Sequence, residues 1–440
     1  MGAGLVMTAV KRSRVRLLIV TMLFFATTIN YADRATLSIA GPSLAKDLGL
    51  DAVSMGYVFS AFAWSYVLAQ LPGGWLLDRY GAKWVYAAAI FLWSAFTLMQ
   101  GAVGFFTGFT AIAVLFSLRL LVGLAEAPVF PANARITAAW FPTSERGTAS
   151  AFFNSSQYFA TVLFTPLMGW VVHHYGWHHV FTLMGALGIA FALLWTQVMY
   201  GPKEHPSINQ AERDYIEAGG ALLDMDGRGA AAPVNAGRTI RQLLSNRMLL
   251  GIYIGQYCIT TLTYFFLTWF PVYLVKERGL SILQAGFAAV LPALCGFIGG
   301  ILGGWISDML LKRGYSLTAS RKIPIVSGML LSMCIIGCNY VQADGLVVGL
   351  MALAFFGKGI GALGWAVVSD TSPRATGGLN GGLFNTFGNT AGITTPIVIG
   401  YIVQTTGSFN GALVFVGLNA LVAVFCYLVI VGEIRRVELH

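Results

Sequence analysis

Gly73-Gly74-Trp75-Leu76-Leu77-Asp78 returns 230 residues later as Gly303-Gly304-Trp305-Ile306-Ser307-Asp308. Each copy closes a long apolar run with an aspartate, which is the mark of one membrane-embedded unit present twice. A fainter echo has the same offset with a slip of one: Phe153-Asn154 with Thr165-Pro166, then Phe384-Asn385 with Thr395-Pro396. Composition agrees, since 57% of the 440 residues are hydrophobic and only 10% charged, with a mean hydropathy of +0.72. No soluble globule has that balance.

A membrane span needs about 20 apolar residues, so charge-free gaps count the spans. Helix 1 runs from Arg16 through the pair Asp33-Arg34 to about Ile39, where Gly41-Pro42 is expected to end it. Helix 2 lies between Asp51 and Asp78. The 35 residues between Lys83 and Arg119 are too many for one helix and divide at the turn-like 101–108. Helix 4 continues through Arg119 and Glu126 to about Pro131, and the next gap, broken at 173–177, holds helices 5 and 6. Helices 7 to 9 fill the gaps 247–276, 278–308 and 322–344, helix 10 spans 346–368 around Lys358, and helices 11 and 12 divide at 405–410. The expected fold is an all-α membrane protein of twelve transmembrane helices in two pseudo-symmetric six-helix halves, 1–201 and 248–440. The polar stretch 202–247 between them reads as a linker with a short amphipathic helix near 210–222.

Lys and Arg give the orientation. With both termini cytoplasmic, 21 of the 27 basic residues fall on that side, against Lys46, Lys276 and Arg278 on the other. The formal charge of +9 is therefore a topology signal and not a nucleic-acid footprint. Lys11, Arg12, Arg14 and Arg16 precede the first apolar run as in a signal peptide, but that run is long enough to be retained as a helix. All five cysteines sit in apolar segments, which predicts neither a disulfide framework nor a metal site. His173, His174, His178 and His179 beside Trp177 read as interfacial residues rather than metal ligands. No Walker-type loop is present to couple ATP.

Five charged residues remain inside apolar runs: Asp33, Arg34, Arg119, Glu126 and Lys358. Each costs several kcal/mol unless it faces a cavity or finds a partner, so all are candidates for function. Arg119 and Glu126 are seven apart, two turns along one helix face. Asp33 and Arg34 point about 100° apart, so they need not pair with each other. That expectation leaves Arg34 free.

Parallel six-helix repeats are the architecture of the major facilitator superfamily, with the site at the midplane. Gly74-Trp75-Leu76-Leu77-Asp78-Arg79-Tyr80-Gly81-Ala82-Lys83 resembles its signature loop. The resemblance implies a gating role for Gly74, Asp78, Arg79, Gly81 and Lys83, echoed by Asp308, with the glycine admitting close helix packing. Asn30-Tyr31-Ala32-Asp33-Arg34-Ala35, Tyr57-Val58-Phe59-Ser60-Ala61-Phe62-Ala63-Trp64, Gln70-Leu71-Pro72-Gly73-Gly74-Trp75 and Gly123-Leu124-Ala125-Glu126-Ala127-Pro128 are similar to the anion:cation symporter family. Phe355-Phe356-Gly357-Lys358-Gly359-Ile360-Gly361-Ala362-Leu363-Gly364-Trp365 and Thr406-Gly407-Ser408-Phe409-Asn410-Gly411-Ala412 resemble its bacterial glucarate/galactarate:proton symporters.

This resemblance, over about residues 15–437, implies a proton-coupled importer of sugar diacids in a bacterial inner membrane, monomeric, with protons as the coupling ion and no other cofactor. A diacid needs cations for two carboxylates with neutral donors between, and a guanidinium grips a carboxylate bidentately. The resemblance makes Arg34 the substrate-anion ligand, and Lys358 stands where related one-carboxylate carriers are neutral. Gln157 and Asn385 match positions that hydrogen-bond the anion, joined by Tyr31, Trp365 and Asn389, while Trp64 and Tyr66 are either cavity lining or packing. Asp33 and Glu126 are expected to carry protons, with Arg119 coupled to Glu126. A carrier of monocarboxylic sugar acids or other organic anions is the nearest alternative. A receptor reading expects an appended signalling domain, and an enzyme reading a polar catalytic loop outside the linker.

Overall fold

Within a hydrocarbon layer a backbone must satisfy its own polar groups, and a single chain segment does so as a helix. The computed structural model describes residues 12–142, 145–223, 236–372 and 377–438. Its regular elements there are all helical. First come α1 (Val15–Leu48), α2 (Ala52–Tyr80), α3 (Ala82–Gln100), α4 (Gly108–Glu126), α5 (Val129–Trp140), α6 (Arg146–Tyr175) and α7 (Trp177–Val198). Short helices α8 (Gln210–Ala218) and α9 (Ala236–Ser245) lie in the linker. Then follow α10 (Arg247–Tyr264), α11 (Phe270–Lys276), α12 (Ile282–Ala288), α13 (Val290–Lys312), α14 (Leu317–Ser332), α15 (Asp344–Ile360), α16 (Gly364–Thr371), α17 (Gly377–Thr406) and α18 (Asn410–Phe425).

Several spans are broken helices: α4 with α5, α10 with α11 through a π segment at Phe265–Trp269, α12 with α13, and α15 with α16. Among the described residues, ten helical stretches are long and apolar enough to cross a membrane. Two more, α6 and α17, have the length at 30 residues each but fall below the others in apolarity. Their sequences say why: Asn154, Ser155, Ser156 and Gln157 interrupt α6, and Asn380, Asn385, Asn389 and a series of threonines interrupt α17. These two also pack across the molecule, α6 on α12 and α13 and α17 on α2. Both of these more polar spans thus face the other set of helices.

Two expected ends move and a third span is interrupted. Helix α1 does not stop at Gly41-Pro42 but continues to Leu48, where Gly49 in a left-handed conformation (φ 65°) closes it. Proline removes one backbone bond, yet Gly41 lets Met55 and Phe59 of α2 and Val272 of α11 come close, and that packing keeps the line of the helix. The fourth span breaks at Ala127-Pro128 and resumes as α5 to Trp140, beyond the expected end at Pro131. The tenth pauses at Gly361 to Leu363, just after Lys358.

The linker helix α8 docks on the start of α1. Glu212 is fully buried and accepts from Ser13 Oγ (2.6 Å), Val15 N (2.9 Å) and Arg16 N (3.3 Å), with Arg16 Nη1 at 3.0 Å. A carboxylate here answers the free N–H groups at a helix N-terminus from almost 200 residues away. Glu145 holds the other side of Arg16 at 3.1 Å and accepts from the Tyr215 hydroxyl at 2.6 Å. Burial opposes its charge, but the Tyr215 and Arg16 bonds outweigh it and hold its carboxyl below the usual range. Glu212→Gln is expected to cost about 2 kcal/mol and to lower the unfolding temperature in detergent by several degrees. An unchanged unfolding temperature refutes the clasp.

The two sets of helices approach backbone to backbone at the end opposite the linker. A Cβ on Gly56 would stand 2.6 Å from the Pro396 carbonyl oxygen, and one on Gly400 2.6 Å from that of Ala52. Across the molecule, a Cβ on Gly169 would lie 3.1 Å from Ile282 O and one on Gly286 2.9 Å from Thr165 O. Tyr57 and Tyr401 meet hydroxyl to hydroxyl at 3.3 Å nearby. Because the obstacles are backbone atoms, Gly56→Ala should prevent this end from closing and shift the population toward an open one. Spin labels on the tips of α2 and α17 should then report longer distances, and an unchanged distribution contradicts the steric argument.

Candidate functional site

The five intramembrane charges are all buried, none more than 8% exposed. Arg34 of α1 donates Nε to Glu126 Oε2 of α4 at 2.9 Å, with Nη2 at the same distance from that oxygen. The expectation of a free Arg34 is thereby corrected for this conformation: its guanidinium reaches across to the acid on the neighbouring span. Aromatic faces enclose it, with centroids of Phe62, Tyr66 and Tyr31 at 4.5, 5.0 and 5.3 Å. Such rings stabilise a cation that lipid would penalise. Arg119 also lies near Phe62, 5.6 Å from its ring centroid, and within electrostatic reach of both Asp33 and Glu126. Asp33 accepts from Thr97 Oγ1 of α3 at 2.6 Å.

From this cluster a polar bridge leads to the second set of helices. The Tyr264 hydroxyl of α10 lies within electrostatic reach of Arg34 and donates to Asn389 Oδ1 at 3.0 Å. Asn389 donates to Asn385 Oδ1 at 3.0 Å, one turn away on α17, and Asn385 donates to Gln70 Oε1 of α2 at 3.2 Å. Tyr31, Asn385 and Asn389 are thus brought together with Arg34, and each retains polar atoms that a hydroxylated substrate can use. Gln157 is half-buried on α6, and its amide makes no hydrogen bond among the described residues. Trp365 stands further off, largely exposed, with its ring on Phe384 at 5.0 Å.

Lys358 has no carboxylate within ion-pair distance among the described residues, although it is only 8% exposed. Its ammonium lies 5.2 Å from the Phe355 ring, which touches Phe266 at 4.3 Å. Phe355 and Tyr158 of α6 both border Gly296, so this lysine belongs to the seam between the two sets of helices. A buried cation without an anion is costly, and an anionic ligand relieves that cost.

The signature loops divide into parts. The close-packing glycine is not Gly74, around which a Cβ would meet nothing, but Gly73, whose Cβ would lie 3.0 Å from Pro128 N. The second copy behaves alike: Gly304 is open while Gly303 would press within 2.3 Å of Ile360 O. In both, the first glycine faces the break in the neighbouring span, and the doubled Gly-Gly in the sequence could not say which. Gly81 (φ 81°) makes the turn into α3. Arg79 covers Trp75 and Tyr80, and Lys83 stands 3.3 Å over the Tyr200 ring. The Asp78 side chain lies outside the described residues. Asp308 is exposed and only 3.8 Å from Arg321, which pairs more tightly with Asp370 at 2.8 Å and donates to Ser307 at 2.8 Å. Sequence reasoning missed Arg321 and Asp370, because a charge at a basic loop carries no signal of its partner. Thr97, Tyr264 and Gln70 were missed for a similar reason: one polar residue in an apolar run usually serves as helix glue.

A separate groove of about 600 Å³ between α2, α3 and α4 is lined by residues such as Leu76, Trp84, Leu121 and Leu124. It offers no charged group to a diacid.

Comparison with known proteins matches this architecture. The chain is 65% identical over 430 residues to "Probable galactarate/D-glucarate transporter GudP" of Bacillus subtilis (strain 168), covering 98% of this chain and 94% of that one. It is 62% identical over 432 residues to the protein of the same name in Escherichia coli (strain K12), covering 98% and 96%. Among solved structures, an inward-facing, unoccupied bacterial homolog of the human lysosomal transporter Spinster superposes with a TM-score of 0.71 at 17% identity, over 96% of each chain. Residues 23–337 match the family described as Major Facilitator Superfamily. With that match over most of its length and two near-complete relatives above 60% identity, this multi-pass membrane protein belongs to the Major Facilitator Superfamily.

Proposed function

We propose that the protein imports sugar diacids such as D-glucarate and galactarate together with protons, by alternating access. The observation that carries this reading is the pair of buried cations, Arg34 among Tyr31, Phe62 and Tyr66, and Lys358 without an acidic partner among the described residues. The names of the relatives at 65% and 62% identity support the choice of substrate. Arg34 takes one carboxylate and Lys358 the other, while Asn385, Asn389 and Tyr264 face the hydroxyls between. In this reading Gln157, half-buried and with its amide uncommitted among the described residues, joins them.

In this reading Glu126 competes with the substrate for Arg34. A proton on Glu126 weakens the 2.9 Å ion pair and releases the guanidinium, so diacid and proton enter together. Asp33 holds a second proton beside Thr97, and Arg119 balances whichever acid is charged. Two protons match the two charges of the substrate, which otherwise costs about 2.3 kcal/mol per charge at 100 mV, negative inside. The charged loops at the linker end support an orientation in the inner membrane with both termini cytoplasmic. The tight crossings opposite the linker then close the outer side, and the protein works as a monomer. Gly73 and Gly303 at the span breaks, together with Arg79, Lys83, Asp308 and Arg321, are where the halves shift against one another.

Counterflow in proteoliposomes with labelled glucarate, galactarate and galactonate tests the assignment. Exchange of both diacids in preference to galactonate is the expected result, and exchange of none of them overturns it.

A further inference from the structure

Buried polar atoms without a protein partner gather inside the first set of helices. Asn30 is fully buried and completes no well-formed hydrogen bond, although its amide lies beside Glu126; the same holds for the Tyr86 hydroxyl beside Thr27 and Asn133, and Asp33 Oδ1, Arg119 Nε, Glu126 Oε1, Asn133 Oδ1 and Thr137 Oγ1 are likewise unsatisfied. Nearly every buried polar atom in a native protein is satisfied by something, and a polar pocket of this kind suits bridging water. The atoms are also ordered in space. Asn30 lies beside the Glu126 carboxylate. One turn on, Asn133 of α5 donates to Thr27 of α1 at 3.3 Å, and the Tyr86 hydroxyl of α3 lies against both.

Direction follows from the helices. Thr27 is seven residues nearer the linker end than Arg34, about 10 Å along α1. Thr137 is one further turn along α5 toward Trp140, whose indole donates to Tyr200 O at the end of α7. The charged and titratable groups facing the two acids are Arg34 and Tyr31 from α1, Tyr66 from α2, Tyr86 from α3, Arg119 from α4 and Tyr264 from α10. Of these, Tyr86 alone lies on the linker side of Asn30, against Thr27 and Asn133. Below it the path holds only amides and hydroxyls, each able to donate and to accept.

We propose that Asn30, Thr27, Asn133 and Tyr86 form a proton passage within the first set of helices, joining Glu126 and Asp33 to the linker-side surface apart from the route of the sugar acid. The passage rests on the reading that these two acids carry the coupled protons. It lets the proton leave without crossing the carboxylates of the departing substrate, which would otherwise recapture it.

Tyr86→Phe removes only the hydroxyl and keeps the ring packed on Trp195 at 4.3 Å. Asn133→Leu is the second variant. Proteoliposomes loaded with a pH-sensitive dye report the acidification that accompanies glucarate entry, and counterflow reports substrate exchange without net proton release. Acidification about tenfold slower in both variants, with counterflow within about twofold of the unsubstituted protein, is the expected result. No acidification in the unsubstituted protein overturns the coupling reading, and the passage with it. Acidification that persists unchanged in both variants overturns the passage alone, and so does an equal loss of acidification and counterflow.

Discussion

Lys358→Asn lowers glucarate uptake by about 100-fold and leaves uptake of a one-carboxylate sugar acid equal or higher: this is the expected result if the lysine holds the second carboxylate. A charge-assisted hydrogen bond in a dry site contributes about 1.5–3 kcal/mol, and each 1.4 kcal/mol is tenfold in affinity. The same substitution separates a ligand from a structural lysine by its effect on stability. Removing one member of a buried ion pair destabilises by about 3–5 kcal/mol. Lys358 has no such partner among the described residues, so asparagine should leave the unfolding temperature unchanged or raise it. Unchanged glucarate uptake with no gain for monoacids would falsify the assignment.

The acids should show a different pattern. Glu126→Gln and Asp33→Asn are expected to retain counterflow and to lose accumulation. A dianion at 100 mV, negative inside, faces about 4.6 kcal/mol, which is more than a thousandfold exclusion at equilibrium. A variant that moves substrate without protons therefore fills only to that limit, whereas the unsubstituted protein exceeds it. The two variants differ in stability for a reason visible in the structure. Glu126→Gln leaves the Arg34 charge without its 2.9 Å partner, while Asp33→Asn retains an oxygen for Thr97 at 2.6 Å. Accumulation that survives both substitutions shows that the protons bind elsewhere.

Much of this was legible in the sequence because charge is so scarce in it. Runs between charged residues counted the spans, and the five charges inside those runs are all buried in the structure. What stayed hidden was decided by packing. Pro42 does not end α1, because neighbours of Gly41 hold the helix in line. The register of the Gly-Gly pairs was undecidable, since either glycine fits the repeat and only the position of Pro128 and Ile360 selects the first. The Arg34–Glu126 pair joins residues 92 apart, and no local pattern specifies such a partner. Thr97, Tyr264 and Gln70 carry no signature as single residues, although they complete the coordination of Asp33, Asn389 and Asn385.

The lower apolarity of α6 and α17 has a consequence for how the protein is made. A segment emerging from the ribosome partitions into lipid according to its own side chains, and asparagines in these two make that step less favourable than for their neighbours. Each, however, is synthesised after a helix it packs on: α1 precedes α6, and α2 and α10 precede α17. Their polar faces can thus be sheltered by protein already in the bilayer. The order of the chain permits amide-bearing helices that insert poorly by themselves to be assembled against helices already in place.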